Sequence, residues 1–174
     1  MQQGISFHQK GELQRAEKLY QRVLQNQPQN ANAYHLLGII AYQVGKKNLA
    51  IDLMNQAIGI DNKQPIFFSS LGNILQEQKR KVEALQAYQQ VFKIQPNHAE
   101  AYYNLGNLLQ EQGKLEEAIE AYQRVLEIQP NHGEAYNNLG VVFNIQECFD
   151  KAVQAYHKAM QLKPNSAEIY LTLG

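Results

Sequence analysis

Shifting the 174-residue chain by 34 positions lays the stretch Ala99–His132, AEAYYNLGNLLQEQGKLEEAIEAYQRVLEIQPNH, over its neighbours on both sides. The clearest marker is a Leu-Gly pair at Leu37-Gly38, Leu71-Gly72, Leu105-Gly106, Leu139-Gly140 and Leu173-Gly174, with Gly4 on the same lattice without its Leu. A period of this length is that of a helical hairpin stacked on copies of itself. The expected fold is therefore all-α, with paired antiparallel helices at each step and no β-sheet. The lattice divides the chain into a partial unit at 1–30, full units at 31–64, 65–98, 99–132 and 133–166, and the start of a further one at 167–174.

Around each Leu-Gly pair the same residue types return at fixed offsets. The central unit has Tyr102, Leu105-Gly106, Leu109, Ala118, Tyr122 and Pro130; the next has Tyr136, Leu139-Gly140, Phe143, Ala152, Tyr156 and Pro164; the preceding one has Phe68, Leu71-Gly72, Leu75, Ala84, Tyr88 and Pro96. This pattern resembles the tetratricopeptide repeat (TPR) family. The resemblance covers the whole chain and implies a single array, 1–174, coiled as a right-handed α-solenoid. Tyr or Phe stands where the family has Trp. Asn62 stands where the unit at 31–64 should have Pro, so that turn is expected to be the least regular.

Helices are expected near 32–44 and 48–60, divided by Gly45, whose tolerance of positive φ suits a tight antiparallel turn. Gly11 and Gly113 hold equivalent places. Lys79 and Glu147 hold them in the other two units, where the turn either strains a residue or takes another shape. Asn97, Asn131 and Asn165 each follow a Pro and precede Glu100, Glu134 and Glu168 by three residues, the spacing of a capping box. Capping accounts for these acids; the alternative is an acidic rim. Tyr102, Leu105, Gly106 and Leu109 share one helical face, opposed by Ala118, Ile119, Tyr122, Val125 and Leu126. Gly106 and Ala118 are read as small so that the backbones can approach. Leu108, with Ile40, Ile74 and Val142 at the same repeat position, is left to pack on the neighbouring hairpin. Tyr20, Tyr88, Tyr122 and Tyr156 read as core rather than as a base-stacking stripe.

Composition narrows function by exclusion. A chain with 44% hydrophobic and 18% charged residues and a formal net charge of zero is of the soluble globular class, and its neutrality argues against nucleic acid as a partner. No apolar stretch is long enough for a membrane span, and the start MQQGISFHQKGEL lacks the segments of a secretory signal. The single cysteine, Cys148, excludes an internal disulfide, and a cytoplasmic location is expected. His8, His35, His98, His132 and His157 show no metal-ligand or triad spacing; His98 and His132 read as exposed turn residues. Cys148, beside Glu147 and Asp150, is a poor nucleophile. There is no phosphate-cradling glycine loop. Neither catalysis nor a cofactor is expected.

In TPR arrays the remaining face of each first helix lines a groove, and the resemblance places function there. Those positions are Asn32, His35, Leu36, Ile39 and Gln43; Ile66, Ser69, Ser70, Asn73 and Glu77; Glu100, Tyr103, Asn104, Asn107 and Glu111; and Glu134, Asn137, Asn138, Val141 and Ile145. None is Lys or Arg, so the carboxylate clamp with which some TPR domains hold acidic chaperone tails is missing. The amide of Asn both donates and accepts, matching the backbone of an extended peptide. Asn104 and Asn138 share one repeat position, Asn73 and Asn107 another. This pattern resembles the asparagine ladder of O-linked N-acetylglucosamine transferases and their bacterial Spindly-type relatives, although Leu36, Ser70 and Thr172 interrupt it. The expected contacts are Asn73, Asn104, Asn107, Asn137 and Asn138 as rungs with Ser70, Tyr103 as an apolar contact, and Glu77 and Glu111 against acidic ligands. The alternative is a merely solvated polar face.

Two functions follow from this face. One is a non-enzymatic scaffold for a protein or extended peptide; the other is the substrate-recruiting part of a longer glycosyltransferase. The sequence closes on Ile169–Gly174, part-way through another first helix, from which exposed apolar surface and end-to-end self-association, or a fragment origin, are expected.

Overall fold

The computed structural model describes residues 1–162, so Pro164, Asn165, Glu168, Thr172, the Leu173-Gly174 pair and the expected open end lie outside the described residues. Ten α-helices occupy them: α1 (Gln2–Gln9), α2 (Leu13–Asn26), α3 (Ala31–Gln43), α4 (Lys47–Ile60), α5 (Pro65–Glu77), α6 (Lys81–Ile94), α7 (Ala99–Glu111), α8 (Leu115–Ile128), α9 (Gly133–Ile145) and α10 (Phe149–Leu162). The chain divides into two compact units, Met1–Pro96 and Asn97–Gly174. In the first, the hairpins α1–α2, α3–α4 and α5–α6 stack through α2 on α3 and α4 on α5; in the second, α7–α8 and α9–α10 stack through α8 on α9.

The lattice positions organise each core as the repeat implies. Tyr20, Tyr88 and Tyr122 are fully buried and Tyr156 nearly so. Each such ring removes enough apolar surface from water to stabilise the fold by about 2–3 kcal/mol. Ile40, Ile74, Leu108 and Val142 are buried too, with Ile40 packed among Ala16 and Tyr20 of the preceding hairpin and Val142 among Ala118, Ala121 and Tyr122. The small residue at Gly106 has a different cause from the one expected. A Cβ there would lie 2.5 Å from Cε1 of Tyr122, so the glycine makes room for a ring on the facing helix rather than for its backbone.

Every hairpin turn has the same shape. Gly11, Gly45 and Gly113 have φ of 76°, 79° and 72°, and Lys79 and Glu147 adopt the same left-handed conformation at 59° and 58°. The two non-glycine turns are therefore strained instead of being reshaped. The turn at Asn62 is as long as the others but is closed differently, as expected: Gln64, the N-cap of α5, makes no side-chain cap bond, whereas Asn30, His98 and His132 each accept one. The Asp61 carboxylate accepts from Lys63 N at 3.0 Å and from Gln64 Nε2 at 2.9 Å, and Pro65 opens α5 with its φ already suited to a helix.

The helix caps correct the sequence reading by one residue. His98 and His132 are the N-caps of α7 and α9: each Nδ1 accepts from the backbone N–H three residues on, Ala101 and Ala135, at 3.2 Å. Asn97 lies outside the helix, and its Oδ1 accepts from Arg124 Nη2 at 2.9 Å. Glu100 and Glu134 consequently stand one position too early to close a capping box. They remain in the first turn, where the helix dipole favours them. Asn30 caps α3, accepting from Ala33 N at 3.0 Å. His98 and His132 are half-buried structural residues rather than exposed turn residues.

Candidate peptide-binding face

Consecutive first helices touch within each unit, α3 with α5 and α7 with α9. Their shared faces carry the polar residues singled out from the sequence. These side chains are joined by a recurring hydrogen bond from one repeat to the position 35 residues further on. In the first unit His35 Nε2 is bonded to Ser70 Oγ at 3.0 Å, the Tyr42 hydroxyl donates to Glu77 Oε1, and His8 Nε2 is bonded to Gln43 Oε1 at 2.8 Å. In the second, Asn138 Nδ2 donates to Tyr103 Oη at 3.3 Å. Each residue thus bonds to the one that follows its own equivalent in the next repeat.

The first unit's face is more committed than its sequence implied. Glu77 receives both the Tyr42 hydroxyl and Lys47 Nζ, the latter at 3.0 Å. These partners, the Tyr42 hydrogen bond first and Lys47 next, hold its carboxyl below the usual range, and the same bond with burial pushes Tyr42 up to about 12. Lys47 comes from the preceding helix, α4, the second helix of its hairpin, so a survey of first helices alone missed it. His35 lies against the Phe67 ring, with centroids 4.8 Å apart, and burial lowers its pKa to about 4. Ser70 sits beside it, half-buried. Ser69, expected on this face, is instead buried, with 1% of its surface exposed.

Asparagine at the second ladder position has an internal role. The hydroxyl of buried Tyr88 lies 2.8 Å from Asn73 Oδ1 and 3.0 Å from Gln76 Oε1. The hydroxyl of Tyr122 lies 2.8 Å from Asn107 Oδ1 and 2.9 Å from Gln110 Oε1. A hydroxyl has one proton, so one oxygen of each pair receives it, and the other amide can turn to donate to the hydroxyl oxygen. In the second unit the network extends further, because Asn138 Nδ2 donates to Asn107 Oδ1 at 2.8 Å and also lies 3.4 Å from Tyr122 Oη. Tyr103 completes it: its ring stacks on His132 with centroids 5.0 Å apart, and Tyr122 lies behind it. Asn107, Asn138 and Tyr103 are therefore brought together. Asn104 and Asn137 are half-buried on the same helices, and Glu111 is exposed at the end of α7.

A sequence signal for this role existed. Asn73 precedes Tyr88, and Asn107 precedes Tyr122, by fifteen residues, whereas Met54 is preceded at that distance by Ile39. The pairing holds at Tyr88 and Tyr122 but not at every lattice tyrosine, since Ile5 stands fifteen residues before Tyr20 and Val141 fifteen before Tyr156.

Among the described residues, no group of three or more His, Cys, Asp and Glu side chains could hold a metal, and no helix is long and apolar enough to cross a membrane. Cys148 is half-buried in the turn before α10, its carbonyl accepting from Ala152 N at 3.0 Å.

Comparisons with known proteins agree with this architecture. A tetratricopeptide repeat model matches residues 99–132 and 133–166, a TPR repeat model matches 82–113, and a further tetratricopeptide repeat model matches 1–65. No curated protein sequence matches the chain. Among solved structures it is similar to MamA, at 27% identity over 95% of this chain and 96% of that one, with a TM-score of 0.84. It is also similar to YrrB, described as a TPR protein with an unusual peptide-binding site, at 25% identity over 98% and 88% of the two chains and a TM-score of 0.80. PilF of Pseudomonas aeruginosa, at 22% identity over 98% and 78%, shares the fold with a TM-score of 0.90. With its 34-residue lattice, its buried aromatic residues and its stacked antiparallel helix pairs, the chain belongs to the tetratricopeptide repeat family.

Proposed function

We propose that the protein is a non-catalytic scaffold that binds an extended, largely uncharged segment of another protein along the face that α7 and α9 share in its second unit. One observation carries this reading. The bonds that hold Asn107 Oδ1 and Asn138 Nδ2 leave Asn107 Nδ2 and Asn138 Oδ1 without a hydrogen-bond partner among the described residues. A fixed donor beside a fixed acceptor complements a peptide bond, and prior fixing of both amides lowers the entropy lost on binding. Asn104 and Asn137 extend the polar face of the second unit, where Tyr103 supplies apolar contact; the first unit has a polar face of its own that carries Ser70 and Asn73. Glu77 of the first face and Glu111 of the second would disfavour acidic segments, Glu77 less than its charge implies because Lys47 and Tyr42 already hold it. The peptide-binding site ascribed to YrrB supports the reading by likeness.

The test is a pull-down from cell extract with the chain as bait, followed by titration of the captured segment against the Asn107→Ala, Asn138→Ala variant. A loss of about tenfold or more in a variant that is still folded supports the reading. Unchanged affinity moves the binding site off this face.

A narrower reading, recruitment of substrate to a glycosyltransferase, draws on the asparagine pattern. It is the less favoured, because Asn73 and Asn107 are also explained by the tyrosines whose hydroxyls they receive. A nucleotide-sugar-binding α/β pattern in sequence following Gly174 would favour it.

A further inference from the structure

The second unit also has a groove of about 650 Å³, formed by α8, α9 and α10, that the reading above does not use. Tyr136, Leu139, Phe143 and Ala155 make its apolar lining, Gln123 of α8 stands on one side, and Lys151 and Lys158 of α10 stand on the other. The Lys151 ammonium lies over the Phe143 ring, 5.6 Å from its centroid, which holds the charge at the edge of the apolar surface.

The charge of this groove departs from the repeat. At the equivalent positions α8 carries Glu117, Glu120, Arg124 and Glu127, three acids against one base, with Arg124 paired to Glu127. In α10 these are Lys151, Gln154, Lys158 and Gln161, two bases and no acid. The local charge therefore changes from −2 to +2 between helices of one design. Among the described residues neither Lys151 nor Lys158 forms an ion pair, and no carboxylate lines the groove.

We infer that this groove docks an acidic, extended segment of a partner protein, with apolar side chains seated on Phe143 and Leu139 between two carboxylates held by Lys151 and Lys158. Lys151 and Lys158 are seven residues apart on a helix, about 10 Å along its axis. A strand advances about 3.3 Å per residue, so the two carboxylates belong three residues apart in the segment. This chemistry is opposite to that of the first-helix face, which is neutral or acidic, so the two sites select different segments.

The test uses blocked hexapeptides that carry Asp or Glu three residues apart with Phe, Leu or Trp between them, and their Asn or Gln counterparts. Fluorescence anisotropy follows their binding to the full chain. The acidic peptides should bind at least about tenfold more tightly than the amides, and Lys151→Glu with Lys158→Glu should remove that difference. Lys151→Gln with Lys158→Gln, which adds no repulsion, should give an intermediate loss, and raised salt should weaken acidic binding severalfold. The Asn107→Ala, Asn138→Ala variant should bind these peptides as the wild type does. Equal binding of acids and amides, no binding by any acidic peptide, or full binding by a folded charge-reversed chain would overturn the inference. Self-association that charge reversal abolishes, without peptide binding, would give the groove to a second copy and overturn it as well.

Discussion

The hydroxyl of Tyr122 donates to Asn107 Oδ1 at 2.8 Å, and Asn138 Nδ2 donates to the same oxygen at 2.8 Å. One carboxamide thus satisfies a fully buried phenol on one side and ties the next repeat on the other. Asn107→Ala should destabilise the chain by about 1–2 kcal/mol, because Gln110 alone must then accept the phenol proton and Asn138 loses the shortest of its hydrogen bonds. Tyr122→Phe should cost about 1 kcal/mol, and the double variant less than the sum, since the second change removes a bond already broken. Urea titrations of the three variants measure this, and strict additivity would deny the coupling.

The first unit contains the control. Tyr20 is fully buried, yet its hydroxyl has no hydrogen-bond partner among the described residues, and the residue fifteen places before it is Ile5 where Tyr122 has Asn107. Burial accordingly pushes its pKa up. Removing an orphaned polar atom relieves a desolvation cost, so Tyr20→Phe should leave stability unchanged or raise it by about 1 kcal/mol. Tyr88→Phe, whose hydroxyl faces Asn73, should lower it by a similar amount. Thermal melts of both variants would show opposite signs, and equal losses would contradict the pairing.

The extent to which this was legible in the sequence follows from what periodicity can encode. Helix positions and buried aromatics repeat with the lattice because each hairpin packs on a copy of itself, and Ile40, Ile74, Leu108 and Val142 could be read as stacking residues on that ground alone. Cap identity is decided by the backbone at a single residue. Asn97 and His98 both offer an acceptor, and Asn97 was the one turned towards Arg124. The first-helix face was readable as polar, but not which of its atoms were already used. Those uses lie in side chains from other helices, Lys47 and Tyr122, that a survey of one face does not contain.

His35 makes one unit sensitive to acid. It lies on Phe67 with Ser70 as its polar neighbour, and burial lowers its pKa to about 4 from an unfolded value of 6.5. A depressed histidine pKa means that the unfolded chain takes up the proton first. The contribution is therefore complete above about pH 6.5 and is lost as pH falls towards 4. After allowance for partial exposure, that loss is about 2 kcal/mol. His35→Gln keeps a polar partner for Ser70 without titrating, so unfolding free energies at pH 7 and pH 4.5 should fall less in the variant than in the wild type. Parallel falls would mean that other groups, such as Glu77, carry the acid response.

Lys79 and Glu147 hold left-handed conformations that glycine holds in the other turns. Such a residue costs about 1–2 kcal/mol, part of which glycine returns by its greater freedom in the unfolded chain. Lys79→Gly and Glu147→Gly should each stabilise by about 0.5–1 kcal/mol, whereas Gly113→Ala should destabilise by about 1 kcal/mol. Denaturant midpoints test this, and a loss in both glycine variants would show that the side chains contribute more than the strain removes.

The glycine of the Leu-Gly pair predicts a difference between repeats. At Gly106 a Cβ would meet Cε1, Cδ1 and Cζ of Tyr122 at 2.5, 2.7 and 2.9 Å, and this ring is enclosed on all sides. At Gly38 its nearest neighbours would be the terminal methyl of Met54 at 2.9 Å, the Ala50 carbonyl at 3.3 Å and Leu53 Cβ at 3.4 Å. Methionine is flexible enough to swing its methyl aside, whereas a packed phenol shifts only by displacing its neighbours and its bond to Asn107. Alanine also favours a helix over glycine by about 1 kcal/mol, which offsets part of either clash. Gly106→Ala should therefore destabilise by about 1–3 kcal/mol, and Gly38→Ala should be close to neutral. Tyr122→Phe should not rescue Gly106→Ala, since the clash is with ring carbons rather than the hydroxyl, whereas Tyr122→Leu should recover part of the loss. If Gly38→Ala were as damaging as Gly106→Ala, the backbone rather than the facing side chain would be what demands glycine at this position.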